Sequence, residues 1–165
     1  RFRKALIATG SRPTAPEIPG IAETRYLTNE DIFGLRTCPR RLLVIGGGPL
    51  GCEMAQAYRR FGSEVVIAQD DPMFLPNEER DAAQVLSDAL ARDGVEIHLN
   101  TTVICVRVDG TAKIVELESG GDKFTVSVER SLAGSGRAPN VEGMNLEAAG
   151  VHYHRGTGIR VNDFL

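Results

Sequence analysis

Cysteine is scarce in this chain and never paired at short spacing: Cys38, Cys52 and Cys105 stand apart in 165 residues. That excludes a CxxC motif, a zinc-ligand pattern and a disulfide framework, and leaves free structural thiols in a reducing compartment as the expectation. Long apolar runs are missing too. The longest, such as those at 42–45 and 65–68, are far too short to cross a bilayer and read as buried strands. Neither sign of charge dominates, since 19 basic and 22 acidic residues give a formal net charge of −3. The basic residues are scattered, so neither nucleic acid nor an anionic membrane is an expected partner. The opening is not expected to be a secretory leader, since Arg1-Phe2-Arg3-Lys4 runs straight into Ala5-Leu6-Ile7-Ala8 and a glycine turn. The chain opens on Arg rather than Met, which fits a segment of a longer protein, or processing, and the unpaired cysteines make a cytoplasmic location the expectation. What is present, 42% apolar and 25% charged residues, is the composition of a globular chain long enough for one ordinary core.

Residues 1–40 do not make a complete domain. A strand is expected over 4–9, then extended chain through Pro13, Pro16 and Pro19, then a short helical turn from Thr28 to Leu35 capped by Thr28, Asn29 or Asp31. From residue 41 the pattern sharpens. Leu42-Leu43-Val44-Ile45 is a continuous apolar run, as a parallel strand covered on both faces requires. Helical spacing of Leu50, Met54, Ala57, Tyr58 and Phe61 predicts a helix over 49–61 with those residues inward. A strand over 64–68 follows, then a helix over 77–93 with Ala82, Leu86, Ala89 and Leu90 inward, and a strand over 95–99. This β-α-β-α-β order argues for a right-handed parallel sheet. Three strand-like runs at 101–108, 112–118 and 123–128 come next. Their connections, Asp109-Gly110 and Ser119-Gly120-Gly121-Asp122, have hairpin chemistry and predict an antiparallel meander. Residues 130–134 return as a fourth parallel strand, and the loop-rich tail, 136–165, belongs with the N-terminal segment.

The motif that carries chemistry is Gly46-Gly47-Gly48-Pro49-Leu50-Gly51. A lone GxGxxG is weak, but here it leaves an apolar strand and opens an amphipathic helix inside a βαβ unit. Gly46 makes the turn, Gly48 lets a pyrophosphate approach the backbone, and Gly51 lets the helix pack on the strands. The helix N-terminus then faces the phosphates. The fold class expected is therefore α/β, a Rossmann-type parallel sheet with a three-stranded antiparallel meander, and the ligand expected is a pyridine dinucleotide. No GK[ST] follows the glycines, which excludes a nucleoside-triphosphate loop. Gln69 stands eighteen residues after Gly51, where a ribose-binding acid is expected. With Asp70 and Asp71 behind it and no Arg, it favours NAD over NADP, although Arg59 and Arg60 late in the helix could reach across. Glu53, placed on the first helical turn, is either a carboxylate at ease near the dipole or a contact to the nicotinamide end.

Other candidates are thinner. His152 and His154 share a face of an extended segment, but two imidazoles without a third ligand make no metal site. No Tyr is followed four residues later by Lys, and no Ser-His-Asp set has an elbow to support it. The reading is a cofactor site with no catalytic residue and no metal. A single-domain dehydrogenase is disfavoured for want of an acid–base pair, while a stand-alone NAD(H)-sensing module remains the alternative.

Three blocks, Ala5-Leu6-Ile7-Ala8-Thr9-Gly10-Ser11-Arg12-Pro13, the run LLVIGGGPLGCE at 42–53, and Gly136-Arg137-Ala138-Pro139-Asn140 with residues 141–151, together resemble the central part of the pyridine nucleotide–disulfide oxidoreductases. The resemblance is to flavoproteins such as dihydrolipoamide dehydrogenase and mercuric reductase. It implies an NAD(P)H-binding Rossmann domain at 35–136 inserted between partial FAD-domain segments at 1–34 and 137–165. It also implies roles for Gly46, Gly47, Gly48, Pro49, Leu50, Gly51, Glu53, Gln69 and Gly136 in cofactor binding. A parent using FAD as well as NAD, homodimeric and passing hydride from nicotinamide to flavin, follows from it. The family's FAD fingerprint, CxxxxC pair and C-terminal dimerisation domain are not in this sequence, so the segment by itself is expected to be inactive.

Overall fold

A computed structural model describes residues 3–134 and 136–164. In chain order the elements are β1 (Ser11–Pro13), β2 (Arg41–Ile45), α1 (Pro49–Arg60), β3 (Glu64–Ala68), α2 (Arg80–Asp93), β4 (Glu96–His98), β5 (Thr101–Asp109), β6 (Ala112–Ser119), β7 (Asp122–Val128), β8 (Arg130–Ala133), β9 (Arg137–Pro139), β10 (Tyr153–His154) and β11 (Gly158–Ile159). They form two compact units, Ala15–Ser135 and Arg1–Thr14 with Gly136–Leu165. Ser135, in the sequence Gly134-Ser135-Gly136, lies outside the described residues.

The larger unit is built on a parallel sheet in the order β4-β3-β2-β8, with β5-β6-β7 as a separate antiparallel sheet. The expected α/β architecture is thus observed: four parallel strands and a three-stranded meander. Both faces of the parallel sheet are covered, which is why its strands read as unbroken apolar runs. On one face Leu42, Val44, Val65, Ile67 and Leu132 pack with Cys52, Ala55 and Tyr58 of α1 and with Ala83 and Leu90 of α2. On the other, Leu43, Ile45 and Ala68 meet Val103, Val106, Val115, Leu117 and Val128 of the meander. Each fully buried aliphatic side chain contributes about 1.5–3 kcal/mol. The 15–34 stretch belongs to this unit: Ile21 and Ile32 are buried, and Leu27 bridges in parallel to Leu132. The short turn expected near Thr28 is a 3-10 turn at Ile32–Gly34, preceded by a Thr28 hydroxyl donating to Asp31 at 2.7 Å. Among the described residues, no helix is long and apolar enough to cross a membrane.

Three expectations need correction. Residues 4–9 form no strand; Leu6 is 91% exposed, and the short strand instead is Ser11–Pro13, antiparallel to Arg137–Pro139. An apolar run becomes a strand only where another strand takes its amides and carbonyls, and among the described residues no strand lies beside 4–9. Second, the inward stripe of α1 is Gly51, Cys52, Ala55 and Tyr58, whereas Phe61 is 70% exposed. Small residues let this helix lie close on the sheet, so the face is set by backbone approach rather than by the bulkiest side chains. Third, α2 starts at Arg80 rather than 77, and Ala83 replaces Ala82 on its inner face. In the preceding loop Leu75 takes a left-handed φ of +48°, and the loop's carbonyls are tied by the Arg80 guanidinium. That group donates to the carbonyls of Phe74 at 2.9 Å, of Leu75, and of Glu78 at 2.7 Å.

The smaller unit has little core. Among the described residues Val141 and Leu146 are its buried apolar side chains, and polar ties hold it together. Thr9 Oγ1 donates to the Asn140 carbonyl at 2.7 Å. Arg12 pairs with Glu142 at 3.0 Å, which holds that carboxyl below its usual range.

Candidate nucleotide-binding site

The glycine loop sits at the carboxyl end of β2, where the chain must reverse from strand to helix. Gly46 takes φ +98°, a left-handed conformation that favours glycine, and its N–H donates to the Ala68 carbonyl at 2.8 Å. Pro49 occupies the first helical turn, where a missing N–H costs nothing. Gly51 is needed for packing. A Cβ there would fall far inside contact distance of the Gly46 carbonyl oxygen and 3.1 Å from Val44 Cγ1. Gly48 is the opposite case, because a Cβ on it would meet nothing within 4 Å. It is the N-cap of α1, extended at φ −73° and ψ 177°, with no side-chain cap. The first intrahelical bond runs from the Cys52 N–H to the Gly48 carbonyl at 3.0 Å. The amides of Gly48, Leu50 and Gly51 have no protein acceptor among the described residues, as a first helical turn leaves them. Open space, free donors and the positive end of a twelve-residue helix coincide here, a cradle for an anion.

Gly47 and Gln69 play parts the sequence did not disclose. Gln69, at the end of β3 and 8% exposed, turns its side-chain carbonyl back to accept the Gly47 N–H at 2.5 Å. Its amide nitrogen lies 3.4 Å from Asp70 Oδ1. The Phe74 ring closes under Gly47, 3.4 Å from where a Cβ would stand. Cys52 donates its thiol to the Gly47 carbonyl at 3.4 Å, and burial pushes that thiol up to about 11. It is a packing group, not a thiolate. Gly134, just past the end of β8, donates to the Ile45 carbonyl at 2.8 Å. A Cβ on it would press to 3.4 Å from the Gly46 carbonyl. Phe74, Cys52, Arg80 and Gly134 were not readable as site residues, because their roles depend on which loop lies beside which.

The structure brings Gly46, Gly47, Gly48, Pro49, Leu50, Gly51 and Gln69 together in the larger unit. Glu53 is exposed and stands at the start of the second turn of α1, not in the first, which holds no acid. It lines a groove of about 360 Å³ with Pro49, Cys52 and Leu75. Gly136 belongs to the smaller unit, where its carbonyl accepts from Thr14 N–H at 3.1 Å. Arg59 and Arg60 are committed at the far end of α1. Arg59 donates to the Asp93 and Ser63 carbonyls, both at 3.0 Å, and Arg60 pairs with Asp93 at 2.9 Å. His154 accepts from the Gly156 N–H at 3.1 Å. The described residues hold no cluster of three or more metal-ligating side chains.

A family model described as pyridine nucleotide-disulphide oxidoreductase matches residues 1–165. The mercuric reductase of Bacillus cereus is 36% identical over 163 residues, 99% of this chain and 26% of that protein. The dihydrolipoyl dehydrogenase of Bacillus subtilis (strain 168) is 35% identical over 162 residues, 98% of this chain and 35% of that protein. Among solved structures, the HOCl-induced flavoprotein disulfide reductase RclA from Escherichia coli matches with a TM-score of 0.80 at 31% identity, over 94% of this chain and 35% of that one. The chain thus spans about a quarter to a third of the length of these proteins.

Proposed function

Since the chain belongs to the pyridine nucleotide–disulphide oxidoreductase family, a family of oxidoreductases, we propose that its larger unit is the NAD(H)-binding domain of a flavin-dependent member. The observation that carries this reading is Gly48: a glycine at the N-cap of α1 whose missing side chain leaves open space beside three free amides. A dinucleotide pyrophosphate fits that donor set and that space. The amides of Gly48, Leu50 and Gly51 would hold it. Gly47 contributes by position, since its own N–H is taken by Gln69. In this reading the larger unit, residues 15–135, carries the nucleotide fold, somewhat wider at its start than the 35–136 expected, and the smaller unit, residues 1–14 with 136–165, supplies FAD-domain segments, Gly136 among them. The parent is a homodimer of the cytoplasm. The cofactor supplies hydride chemistry between nicotinamide and flavin in the intact enzyme. The residues here bind and orient the nucleotide, and Glu53 marks the nicotinamide end.

NAD is preferred over NADP on electrostatic grounds. An adenosine 2′-phosphate needs cations to offset its desolvation. Gln69 is neutral, Asp70 is an exposed carboxylate beside it, and Arg59, Arg60 and Arg80 are occupied with carbonyls or Asp93. Calorimetry of the chain should give NADH about tenfold or more tighter than NADPH, with Asp70→Arg narrowing or reversing the gap. Equal or tighter NADPH binding by the unmodified chain would overturn the preference.

A further inference from the structure

Arg80 stands where a cation is out of place. It is the first residue of α2, beside the positive end of the helix dipole, which favours acids. Among the described residues no carboxylate pairs with it. Its guanidinium turns back instead on the loop before the helix. Nη1 donates to the Phe74 carbonyl at 2.9 Å, and Nη2 donates to the carbonyls of Leu75 and of Glu78, the latter at 2.7 Å. The Glu78 N–H closes the same turn on the Leu75 carbonyl at 3.0 Å. Leu75, left-handed at φ +48°, is a strained position that persists only where its surroundings hold it. The Arg80 side chain is exposed, so its part here is this grip on the loop and not burial in the core.

What the loop delivers is Phe74. Its side chain is buried, and its ring lies against Gly47, with Cε2 3.4 Å and Cδ2 3.5 Å from where a Cβ on that glycine would stand. Gly47 is also held at both ends. Its N–H donates to Gln69 at 2.5 Å, and its carbonyl accepts from the Cys52 thiol at 3.4 Å. That carbonyl shares a trans peptide plane with the Gly48 N–H, and the two point in opposite directions. With the carbonyl turned to Cys52, the Gly48 amide is turned the other way and meets no protein acceptor among the described residues. We propose, on the nucleotide reading above, that Arg80 is a positioning residue for the dinucleotide. By fixing the 74–78 loop it keeps the Phe74 ring against the Gly47–Gly48 peptide, and so keeps the Gly48 N–H set for the pyrophosphate. A donor fixed in advance spares the ordering cost that binding would otherwise carry.

The test uses the full ¹⁵N-labelled chain in two variants. Arg80→Ala releases the loop carbonyls, and Phe74→Leu keeps an apolar side chain but removes the ring. Amide exchange is read first, without nucleotide. In Arg80→Ala the Gly47 amide should exchange about tenfold faster than in the parent, and the Gly47 and Gly48 resonances should shift. Amides of β2 and of the meander should keep their rates, with a melting midpoint within ~2 °C of the parent. Calorimetry should then give NADH binding about tenfold weaker in Arg80→Ala, and Phe74→Leu should reproduce both the faster Gly47 exchange and the weaker binding. A merely structural role would lower the midpoint and speed exchange throughout the domain, and that result would overturn the proposal. Gly47 exchange unchanged in Arg80→Ala, or faster exchange with NADH affinity intact, would overturn it too. An unmodified chain that binds no NADH would sink the nucleotide reading instead, and Gly47 exchange would still decide whether Arg80 holds the loop.

Discussion

The chain carrying Gly48→Val is expected to fold as the parent does and to bind NADH at least about 100-fold more weakly, a loss of about 2.7 kcal/mol. The fold survives because the backbone at this residue, φ −73° and ψ 177°, is extended and open to any residue. A Cβ there meets nothing within 4 Å, so no protein atom has to move. Binding fails because the valine methyls would stand in the space a pyrophosphate must enter to reach the amides of Leu50 and Gly51. Circular dichroism and a melt check the first half, and calorimetry the second. A folded variant with unchanged NADH affinity would place the phosphate elsewhere.

Gly51→Val should do the reverse and break the fold. Its Cβ would collide with the Gly46 carbonyl and crowd Val44 at 3.1 Å, and both are fixed: Gly46 by its bond to Ala68, Val44 by full burial. The helix must then lift off β2, loosening Cys52 and Ala55 from the core. Overpacking of this kind costs about 3 kcal/mol, a large share of the roughly 5–15 kcal/mol that holds a domain together. The shift in urea midpoint measures it, and a variant as stable as the parent would contradict the close packing of α1 on the strand. Two glycines three apart thus separate, one serving the ligand and the other the fold.

That division was half visible in the sequence. The order strand, glycine loop, helix, strand follows from local signals: an unbroken apolar run, Pro49 at a helix start, Gly94 at a helix end with φ +86°. The meander was legible because Asp109-Gly110 and Ser119-Gly120-Gly121-Asp122 permit tight turns between alternating runs. What was not legible depends on the arrangement in space. Residues 4–9 look like a strand, but strand formation needs a neighbour that the local sequence does not name. The spacing of large residues along α1 suggested Phe61 inward, while the sheet selects Gly51 and Ala55 because they are small. Gln69 was recognisable by its distance from the loop, yet its bond to Gly47 became visible only once β3 lay beside β2 in register, Ile45 against Ala68. Lys113 carried no signal, since a lysine in a strand, here between Ala112 and Ile114, reads as solvated until the sheet covering it is known.

The account rests on a phosphate at the N-terminus of α1, and backbone amide shifts report on that directly. Titrating ¹⁵N-labelled chain with NADH should move the amides of Gly48, Leu50 and Gly51 most, together with the side-chain amide of Gln69, all along one saturating curve. The Gly47 amide, already bonded to Gln69, should move less. Absence of any saturable shift at millimolar NADH, or saturable shifts confined to residues outside the loop and the end of β3, would contradict it.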